Sequence, residues 1–149
     1  MNFERLTQAT QRSILDGRAI ANDRNHQYIE PTHILSALLR QTEGIVYPLL
    51  DRMDISPAEL KNEVDALLDG LPSVYGAEEP HLSKASMRLF EEADEQRRSF
   101  KDDYVSVEHI LLAIADSDDP AGEIPVSYTH LTLPTKESRG RWGGGGGGG

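Results

Sequence analysis

Apolar residues recur at helical spacing along most of the chain. Phe3, Leu6, Ala9, Ser13, Gly17 and Ile20 share one face and predict a first helix over residues 3–24. Ser13 and Gly17 are small, so a second helix can approach closely there. The polar stretch 22–27, NDRNHQ, reads as a turn. Pro31 then opens a second helix that runs to Arg40, since a first-turn residue needs no N–H. Ile34, Leu35, Leu38 and Leu39 form its apolar face. Gly44 breaks the pattern. Ile45, Val46, Leu49, Leu50 and Met53 predict a short third helix despite Pro48. Ser56, Pro57 and Glu59 mark the start of a fourth, which ends near Asp69 and turns Leu60, Val64, Leu67 and Leu68 inward. Residues 70–80, GLPSVYGAEEP, carry two glycines and two prolines and read as a linker. Leu82, Ala85, Leu89 and Ala93 predict a further helix, and Val107 to Asp116 another, ended by Asp118, Asp119 and Pro120. No stretch has the period-two alternation of a strand pair, so the expected fold is all-α.

The chain repeats itself. Residues 28–39, YIEPTHILSALL, return 76 positions later as residues 104–115, YVSVEHILLAIA. Tyr28 and Tyr104, His33 and His109, Ile34 and Ile110, Leu35 and Leu111, and Ala37 and Ala113 correspond. Upstream the match continues without a gap through Leu6 and Leu82, Ala9 and Ala85, and Arg12 and Arg88. A fixed offset of this size means one structural unit used twice. Each copy holds a short, strongly apolar helix that belongs at the centre of its core. In the second copy Ser106 is a good N-cap, and Glu108 sits in the first turn, where the helix dipole favours negative charge. The expected organisation is a pair of tandem pseudo-repeats of a short four-helix unit. Repeat one covers residues 1–70, a linker 71–81 and repeat two 82–124.

From Pro125 the character changes. PVSYTHLTLPTKESRGRW continues neither repeat and seven glycines follow it. The run 126–135, VSYTHLTLPT, resembles the conceptual translation of a sequencing-library adapter, and the glycine run resembles translated no-signal base calls. Residues 125–149 are therefore expected to be a non-native or disordered tail, and the second repeat to be incomplete. Ile110, Leu111 and Ile114 would then lose part of their cover, and residues 82–124 would be less protected than residues 1–80.

Composition narrows the function classes. A chain of 149 residues, 38% of them hydrophobic, suits about one domain. There is no cysteine, which excludes disulfides and thiolate metal sites. No apolar run is long enough to span a membrane, and the polar, amphipathic start is no secretory signal, so a cytoplasmic protein is expected. Net charge is −10. Lys136, Arg139 and Arg141 against Glu137 give the tail +2, which leaves −12 on residues 1–124. Such a domain is a poor ligand for a phosphate backbone, and no nucleic-acid partner is expected.

Catalytic constellations are absent from the sequence. Glu108 and His109 are adjacent, and adjacent helical residues do not face each other. There is no H-E-x-x-H and no G-x-S-x-G. His33 and His109 are better explained as equivalent structural positions near helix starts. Glu91, Glu92, Asp94 and Glu95 fall on a helix as a solvated face. No G-x-x-x-x-G-K is present to cradle a nucleotide phosphate. The chain is not expected to be an enzyme, nor to bind a metal or cofactor itself.

Four segments together resemble one family. They are ERLTQ at residues 4–8, IEPTHILSALL at 29–39, LPSVYG at 71–76 and KDDYVSVEHILLAI at 101–114. The doubled unit resembles the amino-terminal domain of the Clp chaperone ATPases, most of all that of the ClpB-type bacterial disaggregases. The resemblance covers residues 1–124 and implies a double four-helix repeat that binds unfolded or aggregated polypeptide. It implies two ATPase modules, with ATP and magnesium, in a longer parent protein that forms a homohexamer. It places the substrate groove between the first helix and the last apolar helix, with polar contacts at Thr7, Asp102 and Glu108 and an apolar contact at Phe90. Two neighbouring positions that are leucine in some relatives are Glu92 and His109 here. The alternative is an adaptor-docking module of a Clp protease chaperone, which the ERLTQ start and LPSVYG linker disfavour. A small all-α hydrolase using the histidines and carboxylates is the third class, testable by substitution of His33 and His109.

Overall fold

The computed structural model describes residues 3–76 and 78–116. A 3-10 turn at Phe3–Arg5 precedes α1 (Gln8–Asp23), β1 (Tyr28–Ile29), α2 (Pro31–Leu38), α3 (Val46–Arg52) and α4 (Pro57–Asp69). After the linker come β2 (His81–Leu82), α5 (Lys84–Ser99) and α6 (Val107–Ala115). The fold is all-α. No helix among the described residues is long and apolar enough to cross a membrane. The expected tail at residues 125–149 lies outside the described residues, as do the last residues of the expected second repeat.

The helices form where caps and apolar stripes coincide. The first one starts later than its apolar spacing predicts. Thr7 is extended and its hydroxyl accepts the N–H of Thr10 at 3.2 Å, so α1 proper begins at Gln8. Ser83, 76 residues on, accepts the N–H of Ser86 at 3.1 Å and starts α5 in the same way. Pro48 is the third residue of α3, where its missing N–H has no helical acceptor to lose. Ile45 is the N-cap of that helix and is 50% exposed, so it does not belong to the helix's buried face as its spacing suggested. Gly17 lies where α1 meets α2. A β-carbon there would stand 3.3 Å from Ile34 Cδ1 and 3.5 Å from the His33 carbonyl, which is the close approach expected of a small residue. The equivalent site on α5 is Ala93, fully buried.

Two short parallel pairings join the repeats, and they are invisible to a search for alternation because each is at most two residues long. Tyr28 pairs with His81 and Ile29 with Leu82, while Leu6 bridges Val105. The 76-residue offset turns the Leu82–Ile29 pair into the Leu6–Val105 pair with the repeats exchanged. The segment leading into α1 thus pairs with the one leading into α6, and the segment leading into α5 pairs with the one leading into α2. Hydrogen bonds reinforce both seams in the same pattern. Thr7 N donates to the Val105 carbonyl at 3.0 Å and Ser83 N to the Ile29 carbonyl at 3.1 Å. The buried hydroxyls of Thr10 and Ser86 donate to those two carbonyls at 3.0 and 2.6 Å. The linker is also held: Ser73 Oγ donates to the Arg24 carbonyl at 3.1 Å and Val74 N to that of Asn25 at 2.7 Å.

The expectation that α6 would be partly uncovered is corrected. Ile110, Leu111 and Ile114 are all buried. The reason is the interlocked packing: α6 lies on α5 and also meets α1, α2 and α3 of the first repeat. Its cover therefore does not come only from its own repeat.

Candidate functional site

The two buried helices α2 and α6 begin with the same device. His33 and His109 each hold the third helical position, and the Nδ1 of each accepts the backbone N–H of its N-cap residue. Glu30 N donates to His33 Nδ1 at 2.8 Å and Ser106 N donates to His109 Nδ1 at 2.9 Å. A backbone N–H can only donate, so in both rings Nδ1 carries the lone pair and Nε2 the proton. Where Nε2–H points differs. In repeat one it donates to Nδ1 of His26, at 2.8 Å. In repeat two it donates to Oδ2 of Asp102, also at 2.8 Å. His26 and Asp102 are 76 residues apart, and each follows a left-handed residue, Asn25 (φ 61°) or Lys101 (φ 60°). The histidines are thus built into helix starts, as the repeat implies, and neither presents a free nucleophile's base.

Electrostatics separate the two copies further. Burial, then the neighbouring charge of His26 and of Arg24, hold the His33 imidazole well below its usual range, at about 4. His26 is lowered by burial and by Arg24. In the second copy a carboxylate stands where His26 stands in the first, and its backbone is clamped. Asp102 N donates to the Arg97 carbonyl at 2.9 Å, and Arg97 Nη1 returns a bond to the Asp102 carbonyl at 3.1 Å. Arg97 is itself fixed by Asp94 at 2.8 Å. Burial would raise the Asp94 carboxyl, but the Arg97 hydrogen bond and the charges of Arg97 and Arg98 outweigh it and leave the group below the ordinary carboxylate range. Among the described residues no cluster of three or more His, Asp or Glu side chains could hold a metal ion.

Thr7, Asp102 and Glu108, three of the four residues expected at the site, lie on two chain segments that hydrogen bonds join. Thr7 is tied to Val105, in the segment between Asp102 and Glu108, and Arg5 Nη1 donates to the Asp103 carbonyl at 3.3 Å. Next to Thr7, Gln8 opens a cleft of about 580 Å³ between the first turns of α1, including Arg12 and Leu15, and residues 40–44. Gln41 Nε2 bridges this cleft to the Ala9 carbonyl at 2.8 Å. Beyond Gly44, Ile45 opens a second cleft of about 260 Å³, shared with Pro48, Leu49, Arg52 and Glu108. The fourth residue, Phe90, lies on α5. It is 1% exposed, on the face of α5 that buries Leu89 and Ala93 beside it. Phe90 is a core side chain here, packed within the shared core rather than at a cleft. Exposed apolar side chains line the two clefts, Leu15 the first and Ile45 the second, at 58% and 50% exposure. Leu15 lies off the apolar stripe of α1, which is the signal that it faces outward.

The matched family fits this geometry. The profile of the Clp repeat (R) N-terminal domain covers residues 5–125. The chain belongs to that family. The Clp N-terminal domain is the amino-terminal part of the Clp/Hsp100 ATPase chaperones. Chaperone protein ClpB of Clostridium tetani is 36% identical over 118 residues, 76% of this chain and 14% of that protein. ClpB of Vibrio cholerae is 35% identical over 125 residues, 83% of this chain and 15% of that protein. This Clp N-terminal chain therefore spans about a seventh of the length of those ClpB relatives. Among solved structures, the N-terminal domain of Hsp104 from Candida albicans superposes with a TM-score of 0.73 at 20% identity, covering 89% of this chain and 87% of that one. The N-terminal domain of ClpV1 from Escherichia coli EAEC gives 0.75 at 21% identity, covering 91% and 83%. At these identities the two structures establish the fold alone.

Proposed function

We propose that this Clp N-terminal domain engages unfolded or aggregated polypeptide, as the substrate-binding module of a ClpB-type ATP-dependent disaggregase. One observation carries the proposal. Hydrogen bonds join the Thr7 segment to the one that leads from Asp102 to Glu108, and two clefts lie on the flanking elements, one lined by Leu15 and the other by Ile45 and Glu108. The clefts offer exposed apolar side chains, Leu15 and Ile45, beside polar ones such as Gln41 and Glu108, which suits an extended chain that offers both. Identity to ClpB across most of this chain supports the choice of parent. The ATPase modules, with their ATP and magnesium, then belong to the remainder of a longer, homohexameric and cytoplasmic protein. An acidic domain has no use for a nucleic-acid partner.

The test is an NMR titration of the ¹⁵N-labelled chain with a permanently unfolded polypeptide, such as reduced and carboxymethylated lactalbumin. Affinity in the roughly micromolar to millimolar range of transient contacts is expected. Signals of Thr7, Leu15, Ile45, Asp102 and Glu108 should move, and Glu108→Lys should weaken binding without changing helicity. Titration that moves none of these signals would refute the proposal. Movement only with a folded adaptor protein would favour the docking alternative.

A further inference from the structure

We infer that His109 is the positioning residue of this surface: its tautomer-fixed Nε2–H holds the Asp102 carboxylate outward as an acceptor for N–H groups of a bound polypeptide. The inference rests on the polypeptide-binding reading above.

The argument starts from the ring. Its Nδ1 is occupied by the Ser106 backbone N–H at 2.9 Å, so Nε2 must be the protonated nitrogen, and it lies 2.8 Å from Asp102 Oδ2. The His109 side chain is 1% exposed, whereas that of Asp102 is 43% exposed. Water therefore does not compete for the Nε2–H, and the carboxylate is anchored on its inner side while its outer side reaches solvent. The main chain of Asp102 is fixed separately by Arg97 through both N–H and carbonyl. A carboxylate held at backbone and side chain loses little freedom when it accepts a further hydrogen bond, which is how preorganisation raises affinity.

The other repeat shows that the helix start does not require this. There the same ring, with the same Nδ1 contact, is satisfied by His26, which is only 5% exposed. A buried ring suffices to complete the cap. Repeat two places an exposed anionic acceptor at the same point, and it does so on the segment that Thr7 grips through Val105. The two halves share a scaffold, and only the second turns it toward a ligand.

The experiment is a double-mutant cycle on the whole chain, read by titration with reduced and carboxymethylated lactalbumin. Asp102→Asn and His109→Leu should each weaken binding by about tenfold or more, the scale of one hydrogen bond to a charged group. The double variant should bind no more weakly than either single one, because His109 acts only through Asp102. His109→Gln, whose amide offers both an acceptor for Ser106 N–H and a donor for Asp102, should restore binding to about the native level. Additive losses in the double variant, or native binding by a folded His109→Leu chain, would overturn the inference while leaving the binding site in place. Absence of binding by the native chain would overturn both. Should His109→Leu fail to fold, the native chain still decides. The His109 ¹⁵Nε2 signal should shift on titration while that of His33 stays, and an unmoved His109 signal would count against the inference.

Discussion

Acid should loosen the first repeat before the second, through His33. Its ring is fully buried, its Nδ1 already accepts the Glu30 N–H and its Nε2–H is already given to His26. A proton added at Nδ1 would face that N–H and release the start of α2. The folded chain therefore keeps His33 neutral from the ordinary 6.5 down to about 4. Between those values the unfolded chain binds a proton that the folded chain does not, so stability rises with pH across the window. The contribution is fully present above about pH 6.5, declines as pH falls toward 4 and is exhausted below it. Over such a span it amounts to roughly 3 kcal/mol. With urea slopes of about 1–3 kcal/mol/M for small proteins, the denaturation midpoint should fall by about 1–3 M between pH 7 and pH 4. Asp94 acts in a different window. Its carboxyl is depressed, so its contribution is lost only as pH drops below the usual carboxylate value, 3.8. The control is His33→Gln. Glutamine at the third helical position can still cap the N-cap N–H but cannot titrate, so most of the slope between pH 6.5 and 4 should vanish. An equal slope in His33→Gln, or a His33 that titrates by NMR near 6.5, would refute this account of the helix start.

Other expectations follow from the seams and the helix contact. Thr10→Val and Ser86→Ala should each cost about 1 kcal/mol in urea denaturation, because the Val105 and Ile29 carbonyls keep their bonds from Thr7 and Ser83. Gly17→Leu should cost about 1–3 kcal/mol or more, since the added carbons meet the α2 backbone, whereas Gly17→Ala should be near neutral: a helix-propensity gain of about 1 kcal/mol offsets the 3.3 Å approach to Ile34 Cδ1. Residues 1–76 alone should show no cooperative thermal unfolding by circular dichroism, because both seams and the α6 contacts are gone; a sharp transition would contradict the interlocked packing.

The 76-residue offset made much of this structure legible. It brought out the paired apolar helices and the paired histidines, and turn chemistry placed the linker and the Ser56 and Pro31 starts. What it could not carry was anything decided by contact across the repeats. The parallel pairings of Leu6, Ile29, Leu82 and Val105 are too short to leave an alternating pattern. Thr7 fell inside an apolar run that looked helical from residue 3, yet the bond from its N–H to Val105 keeps it extended. Phe90 sits beside Leu89 on the buried face of α5, and a position carried over from a family resemblance does not say whether its side chain lines a groove or fills a core. Leu15 and Ile45, which supply the exposed apolar surface, were respectively off the stripe and assigned to the wrong side of it. The partner of each histidine was within reach of the same offset, since it aligns His26 with Asp102. Identity at the corresponding positions draws attention first, and here the informative positions are those that differ.

The interlocking bears on how such a domain can be both stable and selective. Because each first helix is tied to the other repeat's lead-in segment, the two halves share one core, and neither α2 nor α6 depends on its own repeat alone. Shared support leaves individual surface positions free to diverge without unfolding either half. Repeat one uses the position of residue 26 to bury a second imidazole, at the expense of acid stability. Repeat two uses the equivalent position, 102, for a carboxylate that bonds His109 and reaches solvent. Divergence at a few positions thus gives the two halves different chemistry at the equivalent point, on a scaffold whose seam and helix-start hydrogen bonds recur in both.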